Sequence, residues 1–494
     1  MNPDRTGLSA GAKSWLGLFF AGLAAWILLA YQNTSPVLIA VLGFSILTMA
    51  VCWLISKDAS NEEKWILLIL AAGFLLKLIY VIYTGVGTRQ HDVHNFAKDT
   101  NGHAGYIKYL YTYGHLPDFD PREQFQFYHP PLHHILAAIW VKFNQILGEP
   151  IEQCWKNIQV LTLFYSSACM ILMYRILKEL DFKGPGLLLS LLVFSFHPYF
   201  IFLAGSVNND TLAILFMMLA ILYTIRWSKS PTFRNIVPLA LAFGLGMSTK
   251  LSVAYLAPAT ALVFLWKWVR TKERLLPQFA VFALICLPLG LWWYIRCYVL
   301  FDLPFGYVPA LSVQSSQYLG ARYSLLDRLF DLSGEQFQNL YISYGHYDLP
   351  YLEHNIFIAL LKSSVFEEQT LSQYNVQILP ASFLLFYSNL VLVGFSLYGM
   401  IRGLICRSGR FGSEIRLTLL VSYGVVFLAF ISFCLSFPHV CTQSFRYMTP
   451  TLFVGIIGLG CVWETGGNWT KRIMTGATIL FCFSSLAQFL LLGL

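Results

Sequence analysis

Apolar stretches of about 17–25 residues, each long enough to cross roughly 30 Å of hydrocarbon as a helix, recur along this chain. They predict spans near 15–32, 36–56, 64–86, 157–177, 186–205, 211–228, 235–250, 251–269, 279–299, 380–402, 416–436, 449–465 and 473–493. Two long polar connections interrupt the series, 87–156 and 300–379; the other loops are short. Within the first connection, "FYHPPLHHILAAIWVKFNQILG" (127–148) competes as a further span, and its placement decides which compartment every later loop faces.

Charge distribution decides the matter. The basic short connections are Arg175/Lys178/Lys183, Arg226/Lys229/Arg234, Lys267/Arg270/Lys272/Arg274, Arg402/Arg407/Arg410/Arg416 and Lys471/Arg472. With about thirteen transmembrane helices and a cytoplasmic N-terminus, all of them fall on the cytoplasmic side, as the positive-inside rule asks. A span at 131–148 would move every one of them outside. Its pattern agrees: Leu132, Leu136, Ile139, Phe143 and Ile146 form one helical stripe, with His133, His134, Ala137, Val141, Asn144 and Gln145 opposite. Such a helix, entered through Pro130–Pro131, is predicted to lie in the interface plane. Both long connections are then extracytoplasmic.

Composition fixes the class. The chain has 494 residues, 57 % hydrophobic and 12 % charged, so it reads as an all-α polytopic membrane protein with a single integral-membrane domain, 1–494. The formal charge of +8 is explained by the cytoplasmic loops and calls for no nucleic-acid partner. The polar start before the first apolar run lacks a small-residue cleavage site, which predicts an uncleaved first helix. The ten cysteines are scattered, mostly in apolar runs and without a CxxC pair, as expected of small buried hydrophobes.

The unusual polar residues gather at the outer end. Asp92 follows the third span by about six residues, where a carboxylate at headgroup level can accept a proton from an incoming hydroxyl; a solvated loop acid is the alternative. Asn208, Asn209 and Asp210 open a span, which a helix cap favoured by the dipole also explains. Lys250, Arg296 and Arg446 are cations near the outer face, suited to a lipid phosphate or to pairing with Asp210, and Lys77 lies within a span. Seven of the eleven histidines fall in 87–156. His91, Asp92, His94, His133 and His134 could make a metal site, although their spacing matches no zinc motif; contacts to sugar or phosphate are the alternative.

At these residues the chain resembles the GT-C glycosyltransferases, in the branch of the protein mannosyltransferases and aminoarabinose transferases. "HPPLHHILAAIW", "SVNNDTLA", "GMSTKLSVAYLAP" and "FRYMTP" are similar to elements of that branch, in the same order. The resemblance covers roughly 64–465; residues 1–63 look like two additional helices, and no soluble C-terminal domain follows. It implies a GT-C-type fold with amphipathic surface helices in the first outer loop. It also implies transfer of a sugar from a polyprenyl-phosphate donor to a protein, lipid or glycan acceptor on the extracytoplasmic face, with inversion. Asp92 would be the general base, although Val93 follows it where many members have a second acid, and Asp99 is a substitute. Arg446, Lys250 and Arg296 would hold the donor phosphate. His91, His94, His129, His133, Asn209, Asp210 and Tyr447 would contact substrate. The route requires no cofactor, with a divalent metal as the alternative. The expected location is the plasma (inner) membrane, or the endoplasmic reticulum in a eukaryote. Rival readings are a lipid-linked oligosaccharide ligase or polymerase, and a transporter or flippase for a lipid-linked solute.

Overall fold

The computed structural model describes residues 60–88, 91–93, 96, 98–271, 274–337, 340, 353–367, 379–405 and 411–491, with isolated positions 15, 17, 18, 21 and 24. The predicted spans 15–32 and 36–56 therefore lie outside the described residues, apart from those positions, and so does His94. Among the described residues the chain is helical throughout; an isolated bridge between Tyr318 and His439 replaces any sheet.

Each of the other eleven predicted spans falls on helix. Eight helices are long and apolar enough to cross a membrane: Asn61–Tyr83, Ile151–Glu179, Asp210–Lys229, Leu251–Arg270, Leu276–Phe301, Pro380–Ile405, Ser413–Ser436 and Asn468–Leu491. A ninth is the bent pair Gly184–Ser195 and Pro198–Gly205, which meet at 45°. Phe233–Met247 and Thr449–Thr465 are apolar but shorter, so the expected count of thirteen is not established. The protein is a multi-pass membrane protein.

The bend has a local cause. Pro198 contributes no N–H, and the Tyr199 N–H turns to His197 Nδ1 at 3.3 Å, so the Ser195 carbonyl loses its partner one turn on. Lys77, fully buried in its span, donates to that carbonyl at 3.0 Å and reaches Met170 Sδ at 3.3 Å. The intramembrane cation singled out in the sequence is thus held by the freed backbone of a broken helix. Close crossing depends on glycine at one contact in particular. A Cβ on Gly399 would lie 2.0 Å from the Gly458 carbonyl oxygen, so Pro380–Ile405 and Leu452–Thr465 approach backbone to backbone.

The first long connection carries the expected helix at 132–146. Leu132–Ile146 is a 15-residue helix, too short to span. Leu136, Ile139, Phe143 and Ile146 are exposed, Ile146 by 77 %, while His133, His134, Ala137, Val141 and Asn144 are buried. Gln145, expected on the inner face, is exposed; its Oε1 accepts from Tyr111 Oη at 2.5 Å. The helix presents its apolar stripe outward and its polar face to the protein, the reverse of a water-soluble helix and the pattern of one lying on lipid. The second connection sends a helix, Ile356–Phe366, inward against Pro198–Gly205 and the Phe445–Tyr447 turn.

Candidate active site

Asp92 is placed by its neighbours. His91 is buried, with Nδ1 2.7 Å from the Gly85 carbonyl oxygen and Nε2 3.1 Å from Tyr80 Oη. Its ring fits because position 205 is glycine: a Cβ there would come within 2.5 Å of His91 Nε2. The Val207 N–H donates to the His91 carbonyl at 3.2 Å, which ties the loop to "SVNND". Asp92 itself takes a left-handed backbone, φ 59°, uncommon for a residue with a side chain and a frequent feature of functional sites.

Three further strands of sequence converge there. Asn208 Nδ2 donates to Asp92 Oδ2 at 2.8 Å, while its Oδ1 accepts from the Asp210 N–H at 3.0 Å. The side chain of Asn208 thus serves both the helix start and the acid. Asn209 makes no cap, contrary to the simple reading of the motif; its Nδ2 donates to the Thr249 carbonyl at 2.8 Å and fastens the loop beside Lys250. Asp210, 4 % exposed, receives Lys250 Nζ on Oδ1 and Arg446 Nε on Oδ2. Arg446 Nη2 also donates to Asp92 Oδ2. The result is one chain of alternating charge, Lys250–Asp210–Arg446–Asp92. Burial lowers the Arg446 guanidinium from its ordinary value.

Arg446 is carried by a short turn, Phe445–Tyr447, that the second long connection supports. The Phe445 N–H donates to Ser363 Oγ at 2.8 Å, and Ser444 Oγ lies 3.5 Å from Glu367 Oε2. Below it Lys362 and Glu353 form a fully buried pair at 3.3 Å, and Gln443 Nε2 donates to the Glu353 carbonyl at 2.8 Å.

Asp210, Lys250, Arg446 and Tyr447 line a cavity of about 300 Å³. One wall is apolar, with Ile214, Met217, Val426, Ala429, Phe430 and Phe433; another carries Gln126, Tyr128, His129, His103 and Tyr307. Asp92 is not in the lining. It sits across Arg446, with its side chain 26 % exposed.

The remaining sequence candidates divide clearly. His129 lines the cavity, its ring stacked on His103 at 5.6 Å. His133 Nε2 donates to the Val207 carbonyl at 2.9 Å, so it joins the surface helix to the site rather than facing the cavity. His91 is likewise internal. Arg296 is not brought to the cavity: it donates to the Pro117 carbonyl at 2.5 Å, with its guanidinium 5.3 Å from the Trp293 ring centre. The histidines do not gather as a ligand set: His91 and His133 have backbone partners, and His103 stacks on His129 and on His134, whose Nε2 lies 2.9 Å from His103 Nδ1. Among the described residues no group of three or more His, Cys, Asp or Glu is arranged to hold a metal ion. The reading of the sequence missed Gln126, Tyr128, His103 and Tyr307, which offer only the aromatic and amide character of many interface loops. It also missed Ser363, Lys362 and Glu353, for which no local signal exists.

Burial keeps these histidines neutral. His91, with Lys156 nearby, is lowered to about 3 and His133 to about 4, while His103, His129 and His134 fall well below the ordinary 6.5. The unfolded chain binds protons on these rings as pH falls through about 6.5, whereas the folded one does not until near 4 or below. Stability is therefore full above that range and declines as pH drops from about 6.5 towards 4. Thermal unfolding of detergent-solubilised protein across this interval should show a falling midpoint, and His133→Gln should flatten the slope. A midpoint that stays level would refute the buried-neutral assignment.

The fold and site thus define a multi-pass membrane protein with a cation-bearing cavity at one end of its bundle. Residues 128–293, about a third of the chain, match the family model described as dolichyl-phosphate-mannose-protein mannosyltransferase. That stretch holds the "HPPLHHILAAIW", "SVNNDTLA" and "GMSTKLSVAYLAP" motifs through which the sequence resembles the protein mannosyltransferases. No curated protein matches it significantly. Among solved structures it is similar to the S. cerevisiae protein O-mannosyltransferase Pmt1-Pmt2 complex bound to the sugar donor. The identity there is 14 % and the TM-score 0.37, over 55 % of this chain and 37 % of that one, so the match spans little more than a third of the yeast chain. It is also similar to ArnT from Cupriavidus metallidurans in the apo state, at 13 % identity and a TM-score of 0.38, over 87 % and 78 % of the two chains. The same protein bound to undecaprenyl phosphate matches at 11 % identity and 0.38, over 84 % and 77 %.

Proposed function

We propose that the protein transfers a sugar from a polyprenyl-phosphate donor to an acceptor hydroxyl or amine on the extracytoplasmic face of the plasma membrane. The observation that carries this reading is the convergence of Lys250 and Arg446 on one carboxylate, at the edge of a cavity with an apolar wall. Two cations that grip the two oxygens of Asp210 are spaced for two oxygens of a phosphodiester, and the apolar wall suits the first prenyl units. As the sugar leaves, the phosphate gains a second negative charge, which these cations stabilise more strongly than the ground state. Asp92, on the other side of Arg446, is the general base. It takes the acceptor proton as the acceptor attacks the anomeric carbon opposite the phosphate, which gives inversion.

The cavity is at the small end of the roughly 300–1,000 Å³ usual for ligand sites, which favours one sugar over an oligosaccharide. Asp92 follows the end of one helix, Asp210 opens another, Lys250 follows a third and Arg446 precedes a fourth, so the charges sit together at one end of the bundle. A transporter would carry them near the midplane.

The test uses purified protein in vesicles with a panel of radiolabelled polyprenyl-phosphate sugars and membrane extract as acceptor. Transfer or release of label is the expected result. Turnover of pyrophosphate-linked oligosaccharides alone would assign the protein to the ligases. Movement of intact label across sealed vesicles without cleavage would make it a transporter.

A further inference from the structure

The second long connection contains an element whose polarity is inverted. Leu325–Phe330 is a short helix fixed at its start by Ser324 and Asp327, which exchange side-chain and backbone hydrogen bonds at 2.8 and 3.2 Å. Its cation, Arg328, points inward and is 4 % exposed. Nη2 of Arg328 donates to the Cys434 carbonyl at 2.8 Å, in the last turn of the span Ser413–Ser436. Leu329 packs against the core, but the other apolar residues point outward: Leu326 is 67 % and Phe330 71 % exposed, and Leu332, just past the helix, 65 %. A loop in water would bury the leucines and expose the arginine.

The attachment point explains what covers this face. Cys434 directly follows Phe433, which lines the apolar wall of the cavity, and Leu435 and Leu428 of the same span, one heptad apart, are exposed. The outward face of 325–332 therefore adjoins the lipid-facing surface of a spanning helix. The first connection is built alike, since the interfacial helix Leu132–Ile146 begins two residues after cavity-lining Pro130.

We propose that residues 325–332 form a second interfacial anchor that rests among the phospholipid headgroups and upper acyl chains and holds the apolar wall of the cavity at the depth from which a membrane-embedded substrate enters. Arg328 is the pin that turns the leucines outward, because its guanidinium satisfies a helix-end carbonyl that would otherwise have no partner. The contact with lipid follows from the exposed face alone; its role in substrate entry rests on the transferase reading.

Two measurements separate these claims. Leu326→Cys and Phe330→Cys carry an environment-sensitive fluorophore in vesicles of phosphatidylcholine brominated near the headgroup or near the chain end, with labelled unmutated protein as background. The anchor predicts about twofold quenching, stronger from the shallow bromines, with the polar, exposed position of Arg322→Cys unquenched. Absence of quenching at 326 and 330 overturns the proposal, as does self-quenching that rises with protein density, which would put a second copy on this face. In the second measurement, Leu326→Asp with Phe330→Asp should lower turnover of a full-length polyprenyl donor in vesicles about tenfold and leave a short-chain, water-soluble donor unaffected. Equal loss with both donors overturns the role in substrate entry. If the unmutated protein turns over neither donor, the transferase reading fails while the quenching result still decides the anchor.

Discussion

Asp92→Asn is expected to lower turnover by about 10²–10⁴-fold, the usual contribution of a positioned general base, with donor affinity retained. The substitution is unusually clean. Arg446 Nη2 and Asn208 Nδ2 both donate to the same oxygen, Oδ2 of Asp92. An asparagine with its carbonyl in that place keeps both contacts and turns its amide to the position of Oδ1. What it loses is the negative charge and the capacity to accept a proton. Single-turnover measurements with labelled donor, alongside donor binding, separate the two. A variant with full activity would dismiss Asp92 and move attention to Asp210 and Asp99. A variant that no longer binds donor would mean that Asp92 acts by holding Arg446.

Arg446→Gln should have the larger overall effect, because one side chain serves two carboxylates and, in the proposed reaction, the donor phosphate. Turnover should drop about 10²–10³-fold, as for loss of one preorganised transition-state partner, and donor binding should weaken with it. Stability should suffer as well. Asp210 is 4 % exposed but keeps Lys250 on its other oxygen, so the loss should fall below the roughly 3–5 kcal/mol of a buried pair broken outright. Arg446→Lys should recover part of the stability and little of the activity, since an ammonium cannot present Nε to Asp210 and Nη2 to Asp92 together. Combining Arg446→Gln with Asp92→Asn should restore some thermal stability without activity, because it removes an acid left without its cation. The measurements are kcat and KM for the donor and the unfolding midpoint. Equal midpoints for the single and double variants would mean that the two side chains are not coupled.

The surface helix and the site were legible to different degrees. Leu132–Ile146 could be read outright: a stripe at helical spacing and the distribution of basic loops both depend on local pattern, and the exposed Leu136, Ile139, Phe143 and Ile146 match it. The residue types of the charged chain were legible too, because Asp210, Lys250 and Arg446 are costly beside hydrocarbon and therefore conspicuous. Arg296 was conspicuous for the same reason, but the structure does not bring it to the cavity. Its Nη2 donates to the Pro117 carbonyl, a contact between a span and a loop 179 positions apart in the chain. His91 and His133 face the Gly85 and Val207 carbonyls, and nothing in a single sequence separates a histidine that faces ligand from one that donates to the backbone.

The sequence by itself determined the class of this protein, the course of most of its helices, the surface helix of the first connection and the short list of ionisable groups at one end of the bundle. Those follow from hydrophobic length, helical period and the cost of charge in lipid, which act over a few turns of chain. Only the tertiary structure decided that Arg446 joins Asp92 to Asp210, that Asn208 serves the acid as well as the helix start, and that Ile356–Phe366 supports the turn that carries Arg446. The same holds for Arg328, turned inward so that its leucines face out. Each of these is a contact between segments scores to hundreds of residues apart, or a choice of face that the same composition leaves open. Such choices are settled when buried polar groups find partners during packing, and no local pattern records which partner that will be.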